Sequence, residues 1–376
     1  MPKFIRHIRN LLAILGNLEE QRPLVFYSEG KNYWVHLEGL IKEFLATSEV
    51  PVCYISSSSD DPGLHYQCAN YSSFEIDEGF IRDWLFANMD VDVVVMTMPD
   101  LNQYQVKRSK KTVHYVYVQH SLVSMHMVYR PHAFDAYDTI FCAGPHHIRE
   151  MRAIEAKNGL PQKRLIEHGY SRLDAILAKK RDLPESGVDS SAVKHILIAP
   201  SWGSSGTIES GVGARVVEEL LARGYRVTLR PHPQTLIFAK AIVDSIIEQH
   251  KGNPSFEFEG NVAGQSSLHD SHLMISDWSG AALDYAFGLG KPVLFIDVPR
   301  KVNDPSYTEL GIEPIESSIR DVVGMVIPPD FSSLPIEECL AFNVTDNPIE
   351  DYVYNISNSS PVGARYLREL LLEFKA

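Results

Sequence analysis

The sequence predicts an α/β protein made of two doubly wound parallel domains that face a cleft. Short apolar runs alternate with helix-like segments along most of the 376 residues, and this alternation is typical of strand–helix–strand units. A polar segment at 180–192, which holds a proline, a glycine and several serines, separates two similar halves and predicts a linker. We therefore expect a first domain at residues 1–182, a second at 193–355, and a C-terminal helix at 356–376 that packs near the domain junction.

The predicted strands are apolar runs bounded by polar or turn-forming residues, as expected for strands buried on both faces. In the first domain the runs lie at 24–27, 52–55, 92–97, 113–118 and 139–143, and helical spacing lies at 34–45, 145–156 and 171–180. Beyond the linker the runs lie at 195–199, 225–230, 256–258, 273–275 and 292–296, and helical spacing lies at 211–223, 236–250, 281–287 and 362–374. Ligands of such sheets bind outside the carboxyl ends of the strands, so the residues after each run are the candidates for a site.

Charge and cysteine content exclude several functional classes. The 35 Lys and Arg residues are outnumbered by 48 Asp and Glu residues, and a net charge of -13 argues against a broad surface for nucleic acid. The four cysteines are scattered and form no C-x-x-C pair, which predicts reduced thiols in the cytoplasm and no metal knuckle. These cysteines are Cys53, Cys68, Cys142 and Cys339.

Residues 1–16 combine three basic side chains with a roughly helical apolar pattern. The segment is too short to span a bilayer and has no small-residue cleavage site. Two interpretations stay open: contact with an anionic membrane surface, or packing against the first domain. We expect a cytoplasmic protein, with a peripheral position at the inner face of the cell membrane under the first interpretation.

A turn of small polar residues follows the apolar run at 273–275 and precedes a predicted helix. Such a turn presents free N–H groups and the positive end of a helix, which together form an anion site. Asp284 lies about one turn into the helix, within reach of a sugar hydroxyl on the same ligand. A well-capped strand–helix unit without a ligand is the structural alternative. The turn residues that we predict to bind this ligand are Ser276, Asp277, Ser279 and Gly280.

Three other turns after strands carry unusual residues. His120 follows the run 113–118, a Gly/Ser loop that contains Ser201 follows the run 195–199, and Arg230 and His232 follow the run 225–230. Prolines on both sides of His232 stiffen that turn, and a fixed imidazole beside a guanidinium suits a phosphate. Each feature also has a purely structural interpretation. The loop lacks the G-x-x-x-x-G-K-[ST] pattern, and no G-x-G-x-x-G pattern opens a strand–helix unit, so nucleoside triphosphatase, nicotinamide and flavin sites are excluded.

Taken together, these motifs resemble the CDP-glycerol glycerophosphotransferase family, which builds teichoic-acid and related polymers. The resemblance runs from about Val113 to Ile296 and rests on short motifs in the family's order. These are His120 after a strand, Gly169-Tyr-Ser-Arg-Leu-Asp174, Ala199-Pro-Ser-Trp202, Arg230-Pro-His-Pro233, and Ser276-Asp-Trp-Ser279 with Asp284-Tyr285. The family's fold consists of two Rossmann-like domains of the GT-B type, in agreement with the fold class predicted from the strand pattern.

The resemblance implies transfer of glycerol phosphate, or a related polyol phosphate, from a CDP-linked donor to a glycan or lipid-linked polyol-phosphate acceptor, with release of CMP. His120 would take the proton of the acceptor hydroxyl, and His232 with Arg230 would neutralise phosphate charge. Asp284 would hold the ribose, while Ser201 and the turn 276–280 would hold the pyrophosphate. Neither a metal nor a cofactor is implied, because phosphoryl transfer depends mainly on positioning and charge stabilisation.

Two departures from the family pattern affect the acceptor side. His120 is followed by Ser-Leu-Val where the family has Gly-Thr-Pro, and Ser171 replaces a proline. Arg172 and Asp174 are assigned either to substrate or to the domain junction, and Gly169 is assigned to the domain junction. A nucleotide-sugar glycosyltransferase or sugar 2-epimerase of the same fold is the first alternative function. A non-catalytic nucleotide-binding scaffold is the second.

Overall fold

The computed structural model describes residues 3–104, 106–183, 193–262, 264–344 and 349–375. The chain divides into two compact units, one formed by residues 1–120, 129–174 and 350–376, the other by residues 121–128 and 175–349. The sequence had placed 121–128 in the first domain and ended that domain at 182. Most of the predicted linker, at 184–192, lies outside the described residues.

The first unit contains a parallel sheet in which seven strands can be described, in the order β3-β2-β1-β4-β5-β6-β7. All neighbouring strands pair in parallel. The strands are β1 (Leu24–Ser28), β2 (Val52–Ser56), β3 (Tyr71–Glu75), β4 (Val93–Met96), β5 (His114–Val118), β6 (Thr139–Cys142) and β7 (Arg164–Glu167). The helices up to the unit boundary are α1 (Lys3–Gln21), α2 (Trp34–Thr47), α3 (Phe80–Asn88), α4 (Pro145–Asn158) and α5 (Ser171–Asp182), which begins in this unit and continues into the second.

The second unit contains a parallel sheet with six strands among its described residues, in the order β10-β9-β8-β11-β12-β13. These are β8 (His195–Ile198), β9 (Arg226–Leu229), β10 (Phe256–Phe258), β11 (Leu273–Ser276), β12 (Val293–Ile296) and β13 (Gly324–Ile327). The helices are α6 (Val212–Ala222), α7 (Pro233–Phe238), α8 (Lys240–His250), α9 (Ser266–Asp270), α10 (Gly280–Leu289), α11 (Ile315–Ser318), α12 (Arg320–Val323) and α13 (Ile336–Leu340). Because β8, β9, β11 and β12 are neighbours, the loops after them lie along one edge of the sheet.

The C-terminal helix α14 (Ser359–Glu373) returns to the first unit. Its apolar face is buried in one core with α2 and the central strands. Leu367 and Leu370 of α14 share that core with Leu40 and Phe44 of α2, and all four side chains are almost fully buried. Burial of this apolar area supplies the main stabilisation of the helix, since each large aliphatic side chain contributes about 1.5–3 kcal/mol.

The residues 121–128 group with the second unit because they are tied to it by several hydrogen bonds. The backbone N–H and the hydroxyl of Ser124 donate to the two carboxylate oxygens of Glu316, at 2.8 and 2.6 Å. Asn303 donates its backbone N–H to the carbonyl of Met127 at 2.8 Å. The ring of His126 hydrogen-bonds the carbonyl of Ile312 at 3.0 Å.

The predicted α/β class with parallel strands and alternating helices is confirmed. Three strands were not predicted: β3, β7 and β13, each at or next to a sheet edge. All three strands are only partly buried. Polar residues break the apolar run in β3 and β7, whereas β13 is apolar throughout. The helix predicted at 236–250 is interrupted at Ala239, whose backbone leaves the helical region and separates α7 from α8.

Helix α1 extends beyond the predicted segment 1–16 and packs against the first unit. Arg6 forms an ion pair with Glu75 of β3 at 2.8 Å, and the Asn10 side chain donates to the Glu75 carbonyl. On the other face Ile5, Ile8 and Leu12 remain exposed. Among the described helices, none combines the length and the hydropathy needed to cross a bilayer.

Candidate functional site

Four loops define the candidate site of the second unit, each directly after a strand. They are 199–207 after β8, 230–234 after β9, 276–280 after β11 and 297–301 after β12. The sequence predicted the first three, and the fourth was not singled out. Hydrogen bonds and ring contacts described below join these loops to one another.

Asp277 anchors the loop 199–207 to the turn after β11. Its carboxylate is almost completely buried and accepts hydrogen bonds from the backbone N–H of Ser201 at 2.6 Å, of Thr207 at 3.2 Å and of Trp278 at 2.6 Å. The Thr207 hydroxyl donates a fourth bond at 2.7 Å. The sequence assigned Asp277 and Ser201 to direct donor contact, whereas here the carboxylate of Asp277 is occupied by the protein and Ser201 is one of its partners.

Ser276 has a similar internal role. Its side chain is fully buried, and its hydroxyl donates to the carbonyl of Ala199 at 2.9 Å. This bond joins the carboxyl end of β11 to the end of β8. Ser276 therefore fixes the spacing of two loops of the site, and its hydroxyl is directed toward the protein backbone.

Helix α10 begins at the surface of this turn with the geometry of an anion site. The hydroxyl of Ser279, the N-cap residue, accepts the Ala281 backbone N–H at 3.3 Å. The remaining N–H groups of the first turn have no carbonyl partner within an α-helix, and they carry the positive end of the helix dipole. A side chain at Gly280 would overlap the hydroxyl of Ser121, so only glycine fits there without movement. Asp284 is buried in the second turn of the same helix.

His232 and Trp202 bring the second and first loops together. His232 caps α7, and its Nδ1 accepts the backbone N–H of Gln234 at 3.1 Å, so the neutral ring carries its hydrogen on Nε2. The rings of His232 and Phe238 both stack near Trp202, each with a centroid separation of 6.0 Å. This arrangement holds an imidazole donor against an aromatic face at the sheet edge.

Lys301 is the cation that the sequence did not identify. Its ammonium lies 4.2 Å from the centroid of the Trp202 ring. Burial lowers the pKa of Lys301 to about 8, although the carboxylates of Asp277 and Glu209 act in the opposite direction and favour the charged form. Lys301 is thus mostly protonated at neutral pH. A signal for Lys301 was present in the sequence, because the pair Arg300-Lys301 lies in the loop directly after the buried strand β12. Residues after a predicted strand are candidates for a site, and this criterion applies to β12 as well.

Arg230 is directed into a neighbouring loop. It is almost fully buried and donates to the hydroxyl of Ser267 at 3.1 Å and to the carbonyls of Val262 and Gly264 at 2.5 and 3.0 Å. The predicted role of Arg230 was to neutralise phosphate charge together with His232. In this geometry the guanidinium instead orders the loop that follows β10.

The other predicted catalytic residue, His120, lies in the first unit at the end of β5. Its Nδ1 is 3.0 Å from the hydroxyl of Tyr117, and its Nε2 is 3.4 Å from the hydroxyl of Tyr129. The hydroxyl of Tyr170 donates to its carbonyl oxygen. Burial lowers the pKa of His120 to about 4, so the ring is neutral at physiological pH and is a weak base.

Gly169, Arg172 and Asp174 lie at the point where the first unit's main segment ends, after Asp174. Gly169 has a φ of +95°, and a Cβ there would overlap the carbonyl of Tyr354. Asp174 accepts the backbone N–H groups of Ser357 and Ser359 at 2.6 and 2.9 Å, at the start of α14. Arg172 is buried. The contacts of Gly169 and Asp174 are thus with the C-terminal segment of the chain.

Comparison with known proteins gives similarity in structure alone. No protein-family model matches the chain, and no curated protein matches it in sequence. The resemblance to the glycerophosphotransferase family therefore depends on the short motifs described above.

Solved structures with the same fold include several UDP-GlcNAc 2-epimerases. The enzyme of Methanocaldococcus jannaschii, in complex with UDP-GlcNAc and UDP, is 13% identical over 93% of this chain and 99% of its own, with a TM-score of 0.58. The Rickettsia bellii enzyme is 11% identical over 94% of this chain and 96% of its own, with a TM-score of 0.57. The Neisseria meningitidis enzyme, bound to UDP-GlcNAc, is 11% identical over 93% of this chain and 99% of its own, with a TM-score of 0.55. The chain therefore has the α/β fold of GT-B-type proteins.

Proposed function

We propose that this chain is an enzyme that binds a nucleoside-diphosphate-linked substrate on its second unit, and that this substrate is a nucleotide sugar. The main support is the capped N-terminus of α10 at the carboxyl end of β11, with an imidazole and an ammonium on the adjacent loops. Helix N-termini in this position bind phosphates in many α/β sheets. Two structures of the same fold hold UDP-GlcNAc.

In this proposal the pyrophosphate lies against the first turn of α10. Ser279 and the N–H groups after it bind one phosphate, and Gly280 allows the backbone to come close. His232, through its Nε2 hydrogen, and Lys301, through its charge, bind the other. Asp284 holds the ribose. Ser276, Asp277, Ser201 and Arg230 position these groups from within the protein and do not touch the substrate.

His120 is proposed as a catalytic residue that receives a proton from a substrate hydroxyl. The two tyrosine hydroxyls fix the orientation of its ring, and its neutral form is available over the whole physiological pH range. With a pKa near 4 it is a weak base, so its contribution falls at the low end of the usual range, about 10²-fold in rate.

A second candidate function is transfer of a polyol phosphate from a CDP-linked donor, as the resemblance implies. The specific observation in its favour is the order of short motifs from His120 to Asp284, which runs through both units. The acceptor would be a glycan or a lipid-linked polyol phosphate, and the leaving group would be CMP. The reaction would take place in the cytoplasm and would contribute to synthesis of a cell-surface polymer. Both candidates assign Ser279, Gly280 and His232 to the phosphates of the substrate and Asp284 to its ribose.

Calorimetric titration of the full chain with UDP-GlcNAc, UDP, CDP-glycerol and CMP tests the proposal. We expect UDP-GlcNAc to bind and the Lys301→Met and His232→Ala variants to weaken it roughly tenfold, because a charge-assisted hydrogen bond contributes about 1.5–3 kcal/mol. The matched control is Lys240→Met, which removes an exposed lysine paired with Asp244 on α8. Binding should also weaken as the pH rises through about 8 in the wild type and not in Lys301→Met.

The products of turnover then separate the candidate reactions. Interconversion of UDP-GlcNAc with its 2-epimer indicates an epimerase, and release of UDP to an acceptor indicates a glycosyltransferase. Selective binding of CDP-glycerol with release of CMP would replace the first candidate by the second. Binding of a nucleotide with no turnover on any acceptor would indicate a scaffold. Failure of all four ligands to bind would contradict both candidates.

A further inference from the structure

The second unit contains a cavity of about 540 Å³ beside the turn after β11. Its size falls within the range typical of small-molecule sites. Its lining combines apolar groups with charged and polar ones, and it includes Trp278, Asp297, Arg300, Glu313, Ser317 and Arg320. It includes none of the residues to which we assign direct contact with the nucleotide.

Arg320 lines this cavity with a largely buried guanidinium. Its side chain is only 8% exposed, its Nη2 donates to Asp297 at 2.6 Å, and its guanidinium carbon lies 4.0 Å from the centroid of the Trp278 ring. Its Nη1 is buried and has no acceptor within the part of the chain that the structure describes. An unsatisfied buried guanidinium N–H is costly, so an acceptor is expected at this position.

Ser317 repeats this pattern on the preceding helix. Its hydroxyl oxygen is buried and has no hydrogen-bond partner among the described residues, and Ser317 is one of the residues that line the same cavity. Ser317 belongs to α11 and Arg320 to α12, so the connection between the two short helices brings both residues to the lining of one cavity. A guanidinium and a hydroxyl that both lack acceptors form a partial binding site for an oxyanion.

The rim of the cavity carries a second guanidinium and two carboxylates. Arg300 lies 5.5 Å from the centroid of the Trp278 ring and pairs with Glu313 at 3.2 Å. The carboxyl side chains of Asp297 and Glu313 are 52% and 57% exposed, so their ion pairs are weak and can be exchanged for ligand contacts. Carboxylates at a rim also accept hydrogen bonds from sugar or polyol hydroxyls.

We propose that this cavity binds the phosphate monoester of a sugar or polyol, at a position separate from the nucleotide. The phosphate is held by Arg320, Ser317 and Arg300, and the hydroxyls of the ligand are held by Asp297 and Glu313. Trp278 connects the cavity to the nucleotide site, because its backbone N–H donates to Asp277. A ligand in the cavity that contacts Trp278 is therefore linked, through this hydrogen bond, to Asp277 and to the loop 199–207 that Asp277 anchors.

Titration of the full chain with glucose 6-phosphate, gluconate and inorganic phosphate tests this inference. We expect glucose 6-phosphate to bind more tightly than both others, Ser317→Ala to weaken it about fivefold and Arg300→Gln at least tenfold. Arg226→Gln, which removes an exposed arginine paired with Glu257, is the matched control and should leave binding unchanged. Arg320→Lys keeps the charge but not the forked geometry, and it should also weaken binding.

Several outcomes would overturn the inference. One is the absence of glucose 6-phosphate binding to the folded wild type. Equal binding of gluconate would refute the choice of phosphate, and equal binding of inorganic phosphate would refute the sugar or polyol part. Loss of binding in Lys301→Met or His232→Ala would place the phosphate in the nucleotide site. Failure of UDP-GlcNAc to bind would leave this test intact, because glucose 6-phosphate is measured without nucleotide.

Discussion

At the scale of single residues, Asp277 accepts four hydrogen bonds from Ser201, Thr207 and Trp278, which lie on two loops of the site. A buried carboxylate is stable only when such donors compensate the loss of its hydration. Here the compensation also sets the position of the loop 199–207, which carries Trp202. The position of the Trp202 ring next to His232 and Lys301 thus depends on the buried carboxylate of Asp277.

Replacement of this anchor gives a prediction at the same scale. Asp277→Asn substitutes an N–H₂ group for one of the two oxygens, so two of the four donors face another donor. We expect the free energy of unfolding of the second unit to fall by about 2–4 kcal/mol, since hydrogen bonds to a charged group contribute about 1.5–3 kcal/mol each. Urea unfolding, together with calorimetric titration of UDP-GlcNAc, measures the effect on stability and on binding.

The control for Asp277→Asn is Asp244→Asn, which removes an exposed carboxylate paired with Lys240 on α8. It should change stability by a few tenths of a kcal/mol at most. If Asp277→Asn unfolds like the wild type and binds UDP-GlcNAc equally well, Asp277 does not anchor the loop. If it keeps its stability but loses binding, the direct contact expected from the sequence is the better assignment.

At the scale of elements, a strand is easiest to predict from the sequence when both of its faces are buried. The strands β4 and β12 are continuous, fully buried apolar runs, whereas β3 and β7 carry polar or charged residues. The same limit applies to the site. The four loops could be located from the ends of strands, but the direction of a side chain depends on partners distant in sequence. Arg230 and Ser267, 37 residues apart, are an example.

Helix α1 presents an apolar surface that extends onto α3. Ile5, Ile8 and Leu12 are exposed on α1, and Phe80 and Trp84 are exposed on α3. Arg9 is exposed on α1 as well. An exposed row of aliphatic side chains next to a basic residue is typical of helices that lie in the interface of an anionic membrane. Packing of the opposite face of α1 against β3 is compatible with this second contact.

We therefore propose that α1 mediates peripheral membrane contact. Co-sedimentation of the full chain with vesicles of phosphatidylglycerol and phosphatidylcholine should recover the wild type. Recovery of Leu12→Glu should fall several-fold, because a charge replaces an aliphatic side chain that enters the lipid interface in this proposal. The control is Leu372→Glu, which changes an exposed leucine on α14. Equal recovery of the two variants, or no recovery of the wild type, would contradict membrane contact through α1.

At the scale of the whole molecule, several histidines are buried in neutral form, and their pKa values give stability a dependence on pH. Burial lowers the pKa of His168 to about 4, and the same cause lowers the pKa of His120 to about 4. In the unfolded chain each of these histidines takes up a proton near pH 6.5, so acidification from there toward pH 4 favours unfolding. Glu29 opposes this effect, because burial raises its pKa to about 7 and protonation then favours the folded state.

His168 isolates one contribution to this balance. Its ring stacks on Phe141 with centroids 4.5 Å apart, and its Nδ1 lies 3.0 Å from the carbonyl of Gly169. One pKa unit corresponds to about 1.4 kcal/mol. Because the pKa of His168 is lower in the folded chain than in the unfolded chain, the free energy of unfolding should be about 2 kcal/mol smaller at pH near 5 than at pH near 7. His168→Gln removes the titrating group, and its free energy of unfolding should fall less between the two pH values by about that amount.

Urea unfolding of the wild type and of His168→Gln at both pH values measures this difference. The change in the free energy of unfolding between the two pH values separates titration from packing, because lost contact with Phe141 lowers stability equally at both. His65→Gln, at an exposed histidine of the same unit, is the matched control and should retain the wild-type dependence on pH. If His168→Gln has the same dependence on pH as the wild type, the ring of His168 is not held neutral by burial, and the acid sensitivity of the first unit has another source.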